Sequence, residues 1–279
     1  MTESAVSGIE DQSKNNPFRH LVALDVDGTL VDHDGRMSDT VRNAARNVVA
    51  AGHDVVIATG RSLGAVLPVI ELIGLQRGYG VCSNGAVTIR IDPDLELGYE
   101  IIDRETFDPR HALTTLRDKI PGARFALEDA QGNFLSTERF QDPSFGIEAR
   151  GVDFHHLLDA TAVRVVVNSA DASTHEFSAA IDAAGLHGVA YAVGWSAWVD
   201  IAAAGVTKAT ALEKIRLRLG VDQGRTVAVG DGTNDLEMLR WAGRGVAMGQ
   251  ADAIVQEAAN EVTGSVYDDG LATVLHSLL

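Results

Sequence analysis

The sequence predicts an α/β fold, a doubly wound parallel sheet interrupted by an inserted α+β module. Three observations carry this reading. Continuously apolar strands alternate with amphipathic helices toward both ends of the chain, the rhythm weakens in the middle third, and an acidic Gly-containing segment follows a strand near each end. Apolar strands separated by helices imply a parallel sheet covered on both faces.

With 279 residues, the chain exceeds the usual single-domain size, so two domains are expected. Residues 1–17 are polar and lack the basic start and apolar stretch of a signal peptide, and they read as a flexible tail. Residues 19–60 read as one βαβ unit. Leu21 to Leu24 is its first strand. Ser38 caps a helix with Val41, Ala44, Ala45, Val48 and Val49 at helical spacing, and Gly52 closes it. Val55 to Ala58 is the second strand, and a helix near Leu63 to Leu72 and a strand near Tyr79 to Cys82 extend the pattern.

Ala86 to Ile102 reads as a hairpin turning at Asp92-Pro93-Asp94. Weaker strands then follow at Arg124 to Leu127, Val163 to Val167 and Val189 to Val193, with helices near Arg110 to Lys119 and Thr174 to Ala184. From Trp198 the α/β rhythm is expected to resume. The elements are a strand Trp198 to Ile201, a helix Lys208 to Leu219 closed by Gly220, a strand Thr226 to Val229, a helix Asp235 to Trp241, a strand Gly245 to Met248, and a last helix ending at Leu279. The expected division is a core of residues 18–103 and 196–279, with residues 104–195 as the inserted module.

Hydrophobic residues make up 46% of the chain and charged residues 22%, enough apolar material for a packed core. The net charge of -16 opposes binding to nucleic acid or to an anionic membrane surface. No apolar run reaches the ~18 residues that a spanning helix needs. The single cysteine, Cys82, excludes an intramolecular disulfide and suits a reducing, cytoplasmic compartment. Its place after a valine in an apolar run reads as packing rather than as a catalytic thiol.

The chemistry concentrates at strand ends. Asp25-Val26-Asp27-Gly28-Thr29 follows the first strand, where ligands collect in an open parallel sheet. Asp-Gly alone is also a common turn pair. The second cluster changes the balance, because Gly230-Asp231-Gly232-Thr233-Asn234-Asp235 repeats the arrangement after Val227 to Val229. Two acidic clusters at the strand ends of one sheet can converge on a hard divalent cation, which prefers oxygen ligands. A phosphate would complete such a site. Thr59 supplies a hydroxyl and leads into Gly60-Arg61, where backbone N–H groups can face an anion. Asn84 is a comparable polar group, and Lys208 opens a helix with a compact positive charge.

These residues resemble the four motifs of the haloacid dehalogenase superfamily phosphatases, in the Cof-like branch with a type IIB cap inserted between the second and third motifs. The matching segments are Asp25 to Thr29, Thr59-Gly60-Arg61, Lys208, and Gly230 to Asp235, with Ser83-Asn84-Gly85 and Gly245 to Gly249 in agreement over roughly residues 20–279. The third motif departs slightly: Thr207 precedes and Ala209 follows the lysine where relatives often carry Ser and Gly.

The resemblance implies a Rossmann-like catalytic core, a substrate-selecting cap, and a Mg²⁺-dependent phosphomonoester hydrolase. By it, Asp25 is the nucleophile that becomes an aspartyl phosphate, and Asp27 is the general acid and base. Mg²⁺ would join Asp25, the backbone carbonyl of Asp27, and Asp231, with Asp235 in support. Thr59 and Lys208 would bind the phosphoryl oxygens, assisted by Gly60, Arg61, Asn84 and Asn234. Glu128, Asn168, His155, His156 and Trp195 are candidate cap contacts, each of which also reads as surface or packing. The expected partner is a small phosphorylated metabolite such as a sugar phosphate, and the chain is expected as a monomer or homodimer. Two other readings stay open: a sugar phosphomutase, and a non-catalytic sensor of phosphometabolites.

Overall fold

The structure, a computed structural model, describes residues 19–137, 148–169, 173–186, 188–193 and 198–279. The tail expected over residues 1–17 and the candidate Trp195 lie outside the described residues.

The first half of the core follows the expected rhythm. Strand β1 (Leu21–Leu24) is apolar and buried at every position, as a central parallel strand must be. Helix α1 (Asp39–Ala50) begins at Ser38, whose hydroxyl accepts from the Val41 N–H at 3.1 Å. Strand β2 (Asp54–Ala58), helix α2 (Leu63–Leu72) and strand β3 (Gly78–Cys82) complete the parallel series, with Cys82 fully buried. Strands β4 (Val87–Ile91) and β5 (Tyr99–Arg104) form the expected hairpin and extend the sheet antiparallel from β3.

The chain then builds a second sheet before returning. Its strands are β6 (Arg124–Asp129), β7 (Phe134–Ser136), β8 (Arg150–Gly151), β9 (Ala162–Asn168), β10 (Val189–Val193) and β11 (Trp198–Ala203), in the order β10-β11-β9-β6-β7-β8. Helices α3 (Arg110–Lys119), α4 (Phe154–Leu158) and α5 (Thr174–Ala184) cover one face. Leu113, Leu116, Leu157, Phe177 and Ile181 pack there on Phe125, Leu127, Val165, Val167, Val199 and Ile201. The short strands β7 and β8 and the five-residue α4 carried too little periodic sequence to be anticipated.

One expectation is corrected. Trp198 to Ile201 does not resume the core sheet; it pairs antiparallel with β9 and β10 in the second sheet. The physical reason is visible in the strand. Val199 and Ile201 are buried while Asp200 between them is only partly so, an alternation that suits a two-faced antiparallel strand and not a doubly covered parallel one. The return to the core therefore follows Ala203.

The rest of the core comprises α6 (Lys208–Leu219), β12 (Thr226–Gly230), α7 (Leu236–Trp241), β13 (Arg244–Ala247), α8 (Ala253–Ala258), β14 (Glu261–Val262) and α9 (Gly270–His276). The eight-stranded order is β14-β13-β12-β1-β2-β3-β4-β5, parallel from β14 through β3. Helices α1, α2 and α9 pack on one face through residues such as Val41, Val69 and Leu271; α6, α7 and α8 pack on the other through Leu212, Met238 and Val255. The sheet is thus wound on both sides, as expected. Among the described residues, no helix is long and apolar enough to cross a membrane.

Candidate active site

Strands β1 and β12 run parallel in register, Leu24 beside Val229, so their carboxyl ends open at the same height. Asp25, one residue past β1, still donates its N–H to the Val229 carbonyl at 3.0 Å. Asp231, one residue past β12, stands alongside. The chain then turns tightly through Thr233–Asp235, and one oxygen of Asp235, Oδ2, accepts from the N–H groups of Asp231 and Gly232, both at 3.0 Å. Oxygens of Asp25, Asp231 and Asp235 lie within 4.8 Å of one another, and all three residues are buried.

Two glycines permit this packing. Gly28 has φ +81°, and a Cβ there would fall 2.0 Å from Asp231 Oδ2. A Cβ on Gly230 would fall 2.5 Å from Asp235 Oδ2. Larger residues at either position would push the acids apart.

Lys208 supplies the compensating charge. It is the first residue of α6, whose start is fixed by the reciprocal Thr207–Thr210 capping bonds. Its Nζ lies 2.6 Å from Asp25 Oδ1 and 2.6 Å from Asp235 Oδ1, with the side chain fully shielded from solvent. One ammonium among three carboxylates leaves the cluster short of positive charge. Burial, and then the charges of Asp235, Asp231 and Asp27, hold the Asp25 carboxyl well above its usual range despite Lys208. Burial and Asp235 push Asp231 up to about 7. Burial opposes the charge on Lys208, but Asp235 and Asp25 outweigh it and hold its pKa above the ordinary lysine value.

The neutral groups border this cluster. Thr59, buried at the end of β2, donates its N–H to Val81 O at 2.9 Å, and its Oγ1 accepts from the Arg61 N–H at 3.1 Å. Ser83 and Asn84 take left-handed backbone conformations just past β3, and the Asn84 N–H donates to Thr59 O at 3.0 Å. Asn84 Oδ1 in turn accepts from Asn234 Nδ2 at 2.9 Å. The loops after β2, β3 and β12 are therefore tied to one another. Arg61 and Asp27 are joined by an ion pair, and Asp27 is exposed, its carboxylate outside the buried trio.

Sequence reasoning missed three contributors. Gln250 Nε2 donates to Gly28 O at 2.6 Å and to Asp231 Oδ2 at 3.1 Å, linking the two acidic loops. It follows β13 by three residues, so the strand-end rule pointed to it. Arg164 and Asp200 were not singled out; an arginine in an apolar run of valines was the available signal. Glu128, a candidate cap contact from the sequence, is buried, and its Oε2 accepts from the Ser83 hydroxyl at 2.9 Å, joining the second sheet to the core. By contrast His155 and His156 are exposed on α4, in the helical layer of the second sheet. Asn168 ends β9, partly buried.

A family model described as haloacid dehalogenase-like hydrolase matches residues 22–275. The chain belongs to this family. Among the hydrolase's relatives, pyridoxal phosphate phosphatase YbhA of Escherichia coli (strain K12) is 28% identical over 280 residues, covering 93% of this chain and 98% of its own. The Bacillus subtilis (strain 168) 5-amino-6-(5-phospho-D-ribitylamino)uracil phosphatase YitU is 28% identical over 273 residues, covering 92% and 96%. The solved structure of the HAD subclass IIB sugar phosphatase BT4131 shares the fold, with a TM-score of 0.76 and 23% identity, over 93% of this chain and 100% of that one.

Beside the acidic cluster the hydrolase has a cavity of about 570 Å³. Lys208, Asn84 and Asn234 line it from the core; Arg164, Asp200 and Tyr191 line it from the second sheet. A small molecule bound there would touch both layers.

Proposed function

We propose that this hydrolase is a Mg²⁺-dependent phosphatase of small phosphorylated metabolites, acting through an aspartyl phosphate on Asp25. One observation carries the reading: three buried carboxylates from two distant segments converge within 4.8 Å, with one ammonium between two of them. Such a cluster is costly unless a cation balances it, and its all-oxygen donor set fits a hard divalent ion. Asp25, Asp231 and Asp235 would hold the ion, with the Asp27 carbonyl as a further oxygen. Once bound, it would neutralise charge on the transferring phosphoryl group.

The chain's own residues account for the remaining steps. Lys208 fixes Asp25 through Oδ1 and offers an ammonium to the phosphoryl oxygens. Thr59, the N–H groups about Gly60 and Arg61, Asn84 and Asn234 border the same space and supply neutral donors. Asp25 attacks phosphorus while the ester O–P bond breaks, and Asp27 gives its proton to the departing alkoxide. Water then attacks phosphorus, the bond to Asp25 breaks, and Asp27 takes up the proton that water loses, so alcohol and inorganic phosphate leave a restored site.

The layer formed by residues 104–203 would act as the cap that selects the alcohol. The test is release of inorganic phosphate from p-nitrophenyl phosphate with Mg²⁺, and its loss in Asp25→Asn. Tight binding of phosphate esters with no turnover in the unmodified protein would instead favour a sensor.

A further inference from the structure

The second sheet turns its apolar face to α3, α4 and α5, and strand alternation puts Glu128, Arg164 and Asp200 on the opposite face. That face looks toward the core. Ala202, which shares it with Asp200, packs into the core's own apolar cluster, and Glu128 is bonded by Ser83. Glu128 and Arg164 are direct partners in the β6–β9 ladder. Asp200 is opposite Val166 on the neighbouring strand, one diagonal step from Arg164. The result is a row of three charges, acid, base and acid, crossing three strands.

Arg164 is only 1% exposed, yet it lines the cavity that Lys208 also lines. Nη1 donates to the Gly60 carbonyl, in the loop that carries Thr59, and Nε lies 3.5 Å from Asp200 Oδ1. Asp200 lines the same cavity. A buried guanidinium beside a carboxylate gives no clear advantage in stability over apolar packing. What it does provide is a set of fixed N–H donors next to carboxylate acceptors, a pattern that matches a hydroxyl group, which donates and accepts at once.

We propose that Asp200 is a specificity-determining residue, accepting a hydrogen bond from a hydroxyl of the leaving alcohol, and that Arg164 is the positioning residue that orients it. This rests on the phosphatase reading above. With phosphorus beside Asp25 and Lys208, the alcohol extends into the cavity toward β9 and β11. The substrate class this selects is the monophosphate ester of a polyhydroxylated chain. An alkyl ester of the same length gains nothing from Asp200.

The experiment compares kcat/KM for sorbitol 6-phosphate, n-hexyl phosphate and p-nitrophenyl phosphate in the unmodified protein, Asp200→Asn and Asp200→Ser. The expected result is that the unmodified protein prefers sorbitol 6-phosphate to hexyl phosphate. Asp200→Ser, whose shorter side chain withdraws the acceptor, should lose about 10- to 100-fold on sorbitol 6-phosphate, as expected when a hydrogen bond to a charged group is removed. Asp200→Asn, which keeps a neutral amide oxygen, should lose a smaller factor, and both should stay within about twofold on the other two esters. Equal losses on all three esters would make Asp200 a structural residue and overturn the proposal, as would unchanged selectivity. Arg164→Lys should lower selectivity for sorbitol 6-phosphate by a smaller factor, since a lysine keeps the charge but not the fork. Failure of the unmodified protein to turn over p-nitrophenyl phosphate would remove the phosphatase reading, whereas turnover without a polyol preference would overturn this proposal alone.

Discussion

Arg61 grips Asp27 with both arms of its guanidinium: Nη2 lies 2.6 Å from Oδ1 and Nε lies 3.0 Å from Oδ2. In this arrangement both oxygens of the proposed general acid accept from N–H donors. Before Asp27 can hand a proton to a leaving alkoxide, it must leave Arg61. On the proposed phosphatase reading, an incoming phosphate would offer Arg61 an alternative anion and so couple substrate entry to release of the acid.

Asp27→Asn should slow p-nitrophenyl phosphate turnover by roughly 100-fold or more. The fold should hardly notice. The Asp27 side chain is 59% exposed, and pairs with an exposed partner contribute about 0–1 kcal/mol. Steady-state kinetics and a thermal melt on the same preparation separate the two effects, and near-normal turnover would remove Asp27 from the mechanism.

Lys208→Ala should act on both stability and turnover. It strips the ammonium from Asp25 and Asp235, each 2.6 Å away and buried. Breaking a buried ion pair costs about 3–5 kcal/mol. Denaturant unfolding in chelator should show that loss, and added Mg²⁺ should restore part of it. Unchanged stability would mean the cluster does not depend on Lys208.

Metal-free stability should fall as pH rises. Asp231 titrates near 3.8 when unfolded and about 7 when folded, with burial as the first cause and Asp235 as the second. The folded state therefore holds its proton more tightly, and this contribution is complete below pH ~4 and lost by pH ~7. Melts in chelator from pH 5 to 8 should slope downward, and Asp231→Asn should make the slope shallower, the raised Asp25 carboxyl leaving a residual one. Mg²⁺ should stabilise more at pH 8 than at pH 5 and release protons on binding. A flat metal-free profile in the unmodified protein would contradict this account.

Gly28→Ala should weaken Mg²⁺ dependence as well as stability. The added methyl would meet Asp231 Oδ2 at 2.0 Å, on a backbone at φ +81°. Gly205→Ala is the control, with φ +75° and nothing within 4 Å of the new carbon. Each should lose about 1–3 kcal/mol from backbone strain. Only Gly28→Ala should raise the Mg²⁺ concentration needed for half-maximal activity.

Much of the helical structure was readable in the sequence because its signals are local. Val41, Ala44, Ala45 and Val48 repeat at helical spacing and are the residues α1 buries, and α2, α3 and α5 span the residues their periodicity indicated. The meeting of Asp25 and Asp231 was also inferable, since both follow apolar strands of one parallel sheet. Other features depend on pairing between distant strands. Nothing local says that Trp198–Ala203 pairs with β9, or that Arg164 will face the Gly60 loop, because either face of a strand is open until its partners are chosen. Gln250 stands near a strand end, a local signal, but its partners Gly28 and Asp231 come from two other loops that no local pattern names.

The late return of the chain from the second sheet bears on how the two layers move. Between the end of β11 at Ala203 and the start of α6 at Lys208 lie only Ala204, Gly205, Val206 and Thr207. A tether this short ties the second sheet to the first turn of α6, where the Lys208 ammonium sits 2.6 Å from both Asp25 and Asp235. Any tilt of that sheet would reach Lys208 before the rest of the buried cluster.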